Sequence, residues 1–216
     1  MFYAMIGDVV GSRELEDRAA VQRRLRDAVQ ALNGAVAASL AAPLKLTAGD
    51  ELQALLTDPA AAVDIAVGIA DALHPASVVW GLGRGELATE LVSDVALLDG
   101  PCFHRARSAV EAAAARGAWL RQEGLEAPHG ETLTALFDLA WAIRSSWTPT
   151  QLRYVRGARD SLQQEVAARF GVSKQAVSKS LDAARFSSVR EGEDAARALL
   201  RWLGESTQRV PAGVEP

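Results

Sequence analysis

Residues 44–56 read Leu-Lys-Leu-Thr-Ala-Gly-Asp-Glu-Leu-Gln-Ala-Leu-Leu. Two short segments of alternating character flank a Gly49-Asp50 pair, the chemistry of a tight turn, so the stretch predicts a β-hairpin. A hairpin commits the sheet to antiparallel pairing, and the neighbouring elements must fit around it. Upstream, the apolar run 2–10 closes on Asp8 and Gly11 and predicts a buried strand followed by a turn. Between the two, residues 16–40 carry Val21, Leu25, Ala28, Val29 and Leu32 at helical spacing. Downstream, a helix is expected over 58–73, with Asp58 as its cap and Pro59 in its first position. Residues 77–98 predict two more strands around Gly81, Gly83 and Gly85, and 103–117 a helix stopped by Gly117.

This order of elements implies an α+β fold of the ferredoxin-like kind, a mainly antiparallel sheet with helices on one face. That unit is expected to fill residues 1–120. Gly124, Pro128 and Gly130 mark 121–130 as a linker, 131–205 as a helical domain and 206–216 as a mobile tail.

The chain has 216 residues, a hydrophobic content of 49% and a net charge of −4. No stretch reaches the roughly 20 apolar residues of a membrane span. The first residues lack a basic region and meet Asp8 early, unlike a signal peptide. Cys102 is the only cysteine, which excludes an internal disulfide and fits a reducing, cytoplasmic setting. Charge is uneven: residues 1–147 hold 12 basic and 19 acidic groups, residues 148–203 hold 10 and 6. An acidic body with a basic C-terminal segment puts contact with nucleic acid on the latter.

The basic segment contains Ser161-Leu162-Gln163-Gln164-Glu165-Val166-Ala167-Ala168-Arg169-Phe170-Gly171-Val172-Ser173-Lys174-Gln175-Ala176-Val177-Ser178-Lys179-Ser180-Leu181. Ser161 is expected to cap one helix, Gly171 to end it in a left-handed turn, and Ser173 to cap the next. Val166 and Phe170 face inward on the first helix, Val177 and Leu181 on the second. The second helix then turns Lys174, Gln175, Ser178 and Lys179 outward, donors suited to phosphates and base edges. Residues 161–184 therefore predict a helix-turn-helix unit for double-stranded DNA. Ser173, Lys174, Gln175, Ser178 and Lys179 are its contact residues; Arg153, Arg156 and Arg159 are open to either phosphate or solvent. The stripe Ala196, Leu199, Leu200 and Leu203 suits either dimerisation or closure of the core.

A second constellation lies in the first unit. In a ferredoxin-like sheet the hairpin tip carrying Asp50 comes beside the end of the first strand, where Asp8 sits. Two carboxylates held together repel unless a divalent cation lies between them. The loop Val9, Val10, Gly11, Ser12 and Arg13 is expected to offer N–H groups to phosphates.

The strings Gly7-Asp8-Val9-Val10-Gly11-Ser12-Arg13, Leu46-Thr47-Ala48-Gly49-Asp50-Glu51-Leu52-Gln53 and Gly81-Leu82-Gly83-Arg84-Gly85-Glu86 resemble the SatD family. More distantly, the first part is similar to class III nucleotidyl cyclases and GGDEF domains. The resemblance implies metal binding by Asp8 and by the hairpin acids Asp50 and Glu51, with Mg²⁺ or Mn²⁺ and a nucleotide. Residues 99–108 resemble the cyclase Gly-Pro…Asn…Arg helix, with His104 and Ser108 where Asn and Arg stand, and Arg107 one residue off. His104 and Arg107 are the catalytic candidates. The cyclase lysine falls on Leu46, and Lys45 is expected on the opposite sheet face. Together these imply a homodimeric transcriptional regulator whose degenerate cyclase-like domain senses a nucleotide; the alternative is an active, divergent cyclase or phosphoryl-transfer enzyme with a DNA module.

Overall fold

The computed structural model describes residues 1–12, 17–47 and 50–208. It is a mixed α+β structure of five strands and eight helices among these residues. Strands β1 (Phe2–Val9), β2 (Leu40–Leu46), β3 (Glu51–Leu56), β4 (Val78–Gly85) and β5 (Leu120–Glu123) form one sheet in the order β2-β3-β1-β4-β5. The first four pair antiparallel, and β5 runs parallel to β4.

Helices α1 (Arg18–Ala35) and α2 (Ala61–Leu73) cover one face, packing Leu25, Ile65 and Ile69 against Tyr3, Met5, Leu52 and Leu56. Asp17 caps α1 by accepting from the Ala20 N–H at 2.8 Å. Asp58 accepts from the Ala60 N–H at 3.0 Å, yet α2 begins only at Ala61, later than expected. The edge strand β2 is closed off by α1. Asn33 both donates to the Leu44 carbonyl and accepts from the Leu44 N–H, each at 2.8 Å, which blunts an edge otherwise open to another chain.

Helix α3 (Pro101–Arg116) lies on the opposite face, with Cys102, Phe103, Ala106 and Val110 against Ala4 and Ile6. The expectation of helices on one face is therefore corrected. Its physical cause is the glycine stripe of β4. A Cβ on Gly81 or Gly83 would overlap α3 backbone atoms at Ala106, Val110 and Cys102, and one on Gly85 would stand 2.6 Å from the Cys102 nitrogen. Three missing side chains at a spacing of two let a helix backbone lie directly on the strand. Residues 77–98 accordingly hold one strand, not two; after Gly85 the chain crosses in a loop with a short 3₁₀ turn at Val95–Leu97. The missing fifth strand is β5, which opens the stretch expected as a linker. Its four residues show too little alternation to signal a strand, and α3 supplies the crossover that a parallel partner requires.

The remaining helices are α4 (His129–Arg144), α5 (Pro149–Asp160), α6 (Gln163–Phe170), α7 (Lys174–Ala183) and α8 (Phe186–Gln208). Leu133, Phe137 and Ala140 of α4 and Ala196 and Leu200 of α8 join the core beneath α1 and α2. Trp119 meets Phe137 edge-on at 5.5 Å and stacks on Trp141 at 5.3 Å. The Ala196–Leu203 stripe thus closes the core. A separate apolar cluster of Val155, Val166, Val177, Leu181 and Val189 holds α5, α6 and α7. Helix α8 runs on through Ser206 to Gln208; residues 209–216 of the expected tail lie outside the described residues.

Four charged side chains bolt the two parts together. Arg144 reaches Asp71 at 2.5 Å and Glu193 at 3.3 Å, while Arg159 reaches the same pair at 2.6 and 2.8 Å. Arg144 also stacks between Trp119 and Trp147, at 5.1 and 4.9 Å. Each acid is shared by both arginines, so α2, α4, α5 and α8 meet in one closed ring of ion pairs.

Gly83→Ala is expected to lower the unfolding free energy by about 3 kcal/mol in urea titration, because the atoms it strikes are backbone and cannot rotate away. Glu193→Ala leaves both arginines short of a carboxylate in a dry setting and should cost about 3–5 kcal/mol in the same assay.

Candidate functional site

The carboxylates come together at the end of the sheet. Asp8, the penultimate residue of β1, stands directly across from Glu51 at the start of β3, and Asp50 in the turn lies close enough to act on Asp8. Residues opposite each other in adjacent strands share a face, and Ala4 and Ile6 fix that face as the one beneath α3. Burial first, then repulsion from Asp50 and Glu51, raises the Asp8 carboxyl above its ordinary value.

Arg107 reaches down from α3 onto this group. Its guanidinium forks onto both Glu51 oxygens, one at 2.8 Å and the other closer. Gln53 at 2.6 Å and Thr47 add hydrogen bonds to Glu51. These bonds, Arg107 foremost, hold the Glu51 carboxyl below the usual carboxylate range and push Arg107 up. Glu51, expected as a metal ligand, is thus engaged by a cation of the protein itself.

Among the described residues no group of three or more His, Cys, Asp or Glu side chains is arranged to hold a metal ion. Asp8 and Asp50 remain as a pair. Two carboxylates do not make an all-protein cage, but they suit Mg²⁺, which keeps waters and completes its shell with substrate phosphates.

The loop after β1 departs from its expected role. The Val10 N–H donates to the Ser77 carbonyl at 2.9 Å, and the Val9 N–H serves the Asp8 carboxylate. Gly11 adopts a left-handed φ of 61°, Ser12 is half-buried, and Arg13 lies outside the described residues. The N–H groups of Val9 and Val10 are thus already engaged, that of Val10 by the residue that leads into β4.

His104 is not brought to the carboxylates. Its Nε2 lies 3.0 Å from Asp99 on the loop before α3, with the ring largely exposed. Lys45 is a correction in the other direction. An irregularity in β2 between Ala42 and Lys45 puts Lys45 across from Gln53, hence on the Asp8 face. There its ammonium pairs with Asp94 at 2.8 Å. Alternation alone could not reveal this, since one extra residue reverses every face beyond it.

The second expected site lies on α6 and α7. Leu162, not Ser161, is the residue before α6, with Glu165 accepting from the Leu162 N–H at 2.9 Å. Gly171 turns the chain at φ 64°, and the Ser173 hydroxyl caps α7 by accepting from the Ala176 N–H at 3.1 Å. Val166, Ala167, Val177 and Leu181 are buried between the helices. Lys174, Gln175 and Lys179 are exposed and Ser178 is half-buried. Arg159 is withdrawn from any phosphate role by its two carboxylate partners.

A five-stranded sheet with helices on both faces, an acidic corner at its strand ends and a basic bundle of short helices defines the class: an α+β protein with an appended helical module. The chain belongs to the SatD family, whose model matches residues 2–199. No curated protein and no solved structure matches it significantly. Among the described residues no helix is long and apolar enough to cross a membrane.

The opposed shifts at Asp8 and Glu51 carry a testable sign. Asp8 has a folded value above its unfolded one, so it favours the folded state at low pH and loses that contribution as pH rises through the folded value. Without divalent cations, Asp8→Asn should therefore stabilise the protein at neutral pH by under about 1 kcal/mol, since the site is partly solvated. The gain should vanish near pH 3, as read by thermal unfolding. Glu51→Gln should do the reverse, destabilising at neutral pH and fading as pH falls through its lowered value.

Proposed function

We propose that this SatD-family protein is a DNA-binding regulator in which α6 and α7 are a helix-turn-helix unit and the sheet is a ferredoxin-like, cyclase-type sensor of a nucleotide. The observation that carries the reading is the outward surface of α7. Two lysines and a glutamine stand exposed on a helix whose other side is sealed by Val177 and Leu181. Such a face is costly to bury and well suited to the major groove. Gln175 and Ser178 read base edges, while Lys174 and Lys179 hold phosphates. Pairing of two copies would present two such helices to one duplex, the usual economy of dimeric regulators.

Asp8 and Asp50 bind the divalent cation that accompanies the nucleotide's phosphates, which relieves the crowding that raises Asp8. The Arg107–Glu51 fork is poised to reopen when a phosphate competes for the guanidinium. The helix-turn-helix senses this only by a difference in ligand affinity between two arrangements of the molecule. The ion-pair ring between α2 and α5 is the rigid connection through which such a difference is transmitted. An enzymatic reading has one observation behind it, the same crowded carboxylates. Against it stand Arg107 held by Glu51 and His104 turned to Asp99.

Lys174→Ala with Lys179→Ala should weaken duplex DNA binding at least tenfold and lower the slope of log affinity against log salt by about 2. Unchanged affinity and slope would remove α7 from the interface. Incubation with each nucleoside triphosphate and Mn²⁺ should yield no product by mass spectrometry; a cyclic product lost in Asp8→Asn would make the protein an enzyme.

A further inference from the structure

A cleft of about 400 Å³ opens between the end of α2 and the outer sides of α5 and α6. His74 forms one wall; Arg153, Arg156, Arg169 and Phe170 form the other. None of these three arginines has a carboxylate within ion-pair distance among the described residues. Asp71, the carboxylate whose field Arg156 feels, is already bound by Arg144 and Arg159. Arg153 lies over the Phe170 ring at 4.8 Å, and Arg169 makes a 3.4 Å contact with the Ser161 hydroxyl. Arg24 of α1 stands behind His74, donating to the Leu73 and His74 carbonyls.

The three arginines and His74 are exposed to solvent along the cleft, and positive charge collected in a concave space without counter-charge draws an anion to it. The mutual repulsion bears on two members. Burial, then Arg156 and Arg24, holds the His74 imidazole below its usual value. Burial also lowers Arg156, and Arg24 and Arg144 add repulsion. We propose that this cleft is a second binding site, for a small organic phosphate gripped by Arg153, Arg156 and Arg169.

Guanidinium groups match phosphate oxygens in pairs, and a phosphate alone leaves much of the volume free. Leu152, Pro149 and Phe170 supply apolar wall for an organic group. The geometry favours a small ligand over a duplex backbone, because the residues of the exposed α7 face are not among the lining residues. A smaller cleft shares His74 and Leu152 and is lined by Trp147 and Arg144. Ligand here therefore touches the loop after α2 and the first two helices of the basic bundle together.

Calorimetric titration of the full chain with inorganic pyrophosphate tests the site. Binding is expected in the wild type and in Asp8→Asn. It should weaken at least tenfold in Arg156→Ala and in Arg169→Ala, variants that break no ion pair and should keep the wild-type melting temperature. Lys174→Ala with Lys179→Ala should bind pyrophosphate normally. No heat with millimolar pyrophosphate, or equal binding in Arg156→Ala, overturns the proposal. Loss of pyrophosphate binding in Asp8→Asn alone would return the phosphate to the carboxylate corner. If Arg156→Ala instead weakened only a DNA duplex, the arginines would belong to the DNA backbone contact and the small-ligand site would fail.

Discussion

The ring of Asp71, Arg144, Arg159 and Glu193 is the constraint on which the arrangement of this molecule depends. Its members come from four helices, and both Arg144 and Glu193 are less than 5% exposed at their side chains. A charge so placed is tolerable only with its partners present, so the ring permits one docking of the helical bundle on the sheet and penalises others. Apolar packing between α4, α8 and the sheet supplies the attraction. The ring supplies the register, and with it the direction in which α7 faces.

On the other side of the sheet a different device does similar work. The Gly81-Gly83-Gly85 stripe lets α3 settle onto β4 at backbone distance. That depth brings Arg107 within reach of Glu51 and sets a cation at the margin of the Asp8–Asp50 corner. The acidic corner and the basic cleft beside His74 thus arise from two separate dockings. One is governed by absent side chains and the other by buried charge. The corner is crowded with negative charge and the cleft with positive.

Much of this was legible from residue order. The hairpin around Gly49-Asp50 set the neighbours β2 and β3, and the Asp8 end of β1 fell beside them as the topology required. Gly171 and Ser173 announced the α6–α7 turn. Other features left weak traces. A single Asp71 in the apolar run Ile-Ala-Val-Gly-Ile-Ala-Asp-Ala-Leu was a sign of a buried ion pair, but its partners lie 73 and 88 residues away. Strand β5, with Arg121, Gln122 and Glu123 among its four residues, looked like a linker because its pairing comes from α3 and not from its own pattern. The β4 glycines looked like turn residues, since period-two glycines mark a close approach only when the approaching helix is known.

What the sequence determined by itself was local: the hairpin, most of the helices and their stops, and which faces of them are apolar. Those follow from backbone preferences and from side-chain periodicity within a dozen residues. Only the tertiary structure decided that α3 takes the opposite face, that Lys45 shares the face of Asp8, that Glu51 is claimed by Arg107, and that Arg159 is locked while Arg156 has no ion-pair partner among the described residues. Each of these depends on which distant charge or backbone arrives first within a few ångströms. In a low-dielectric interior that proximity outweighs any preference carried by the residue alone.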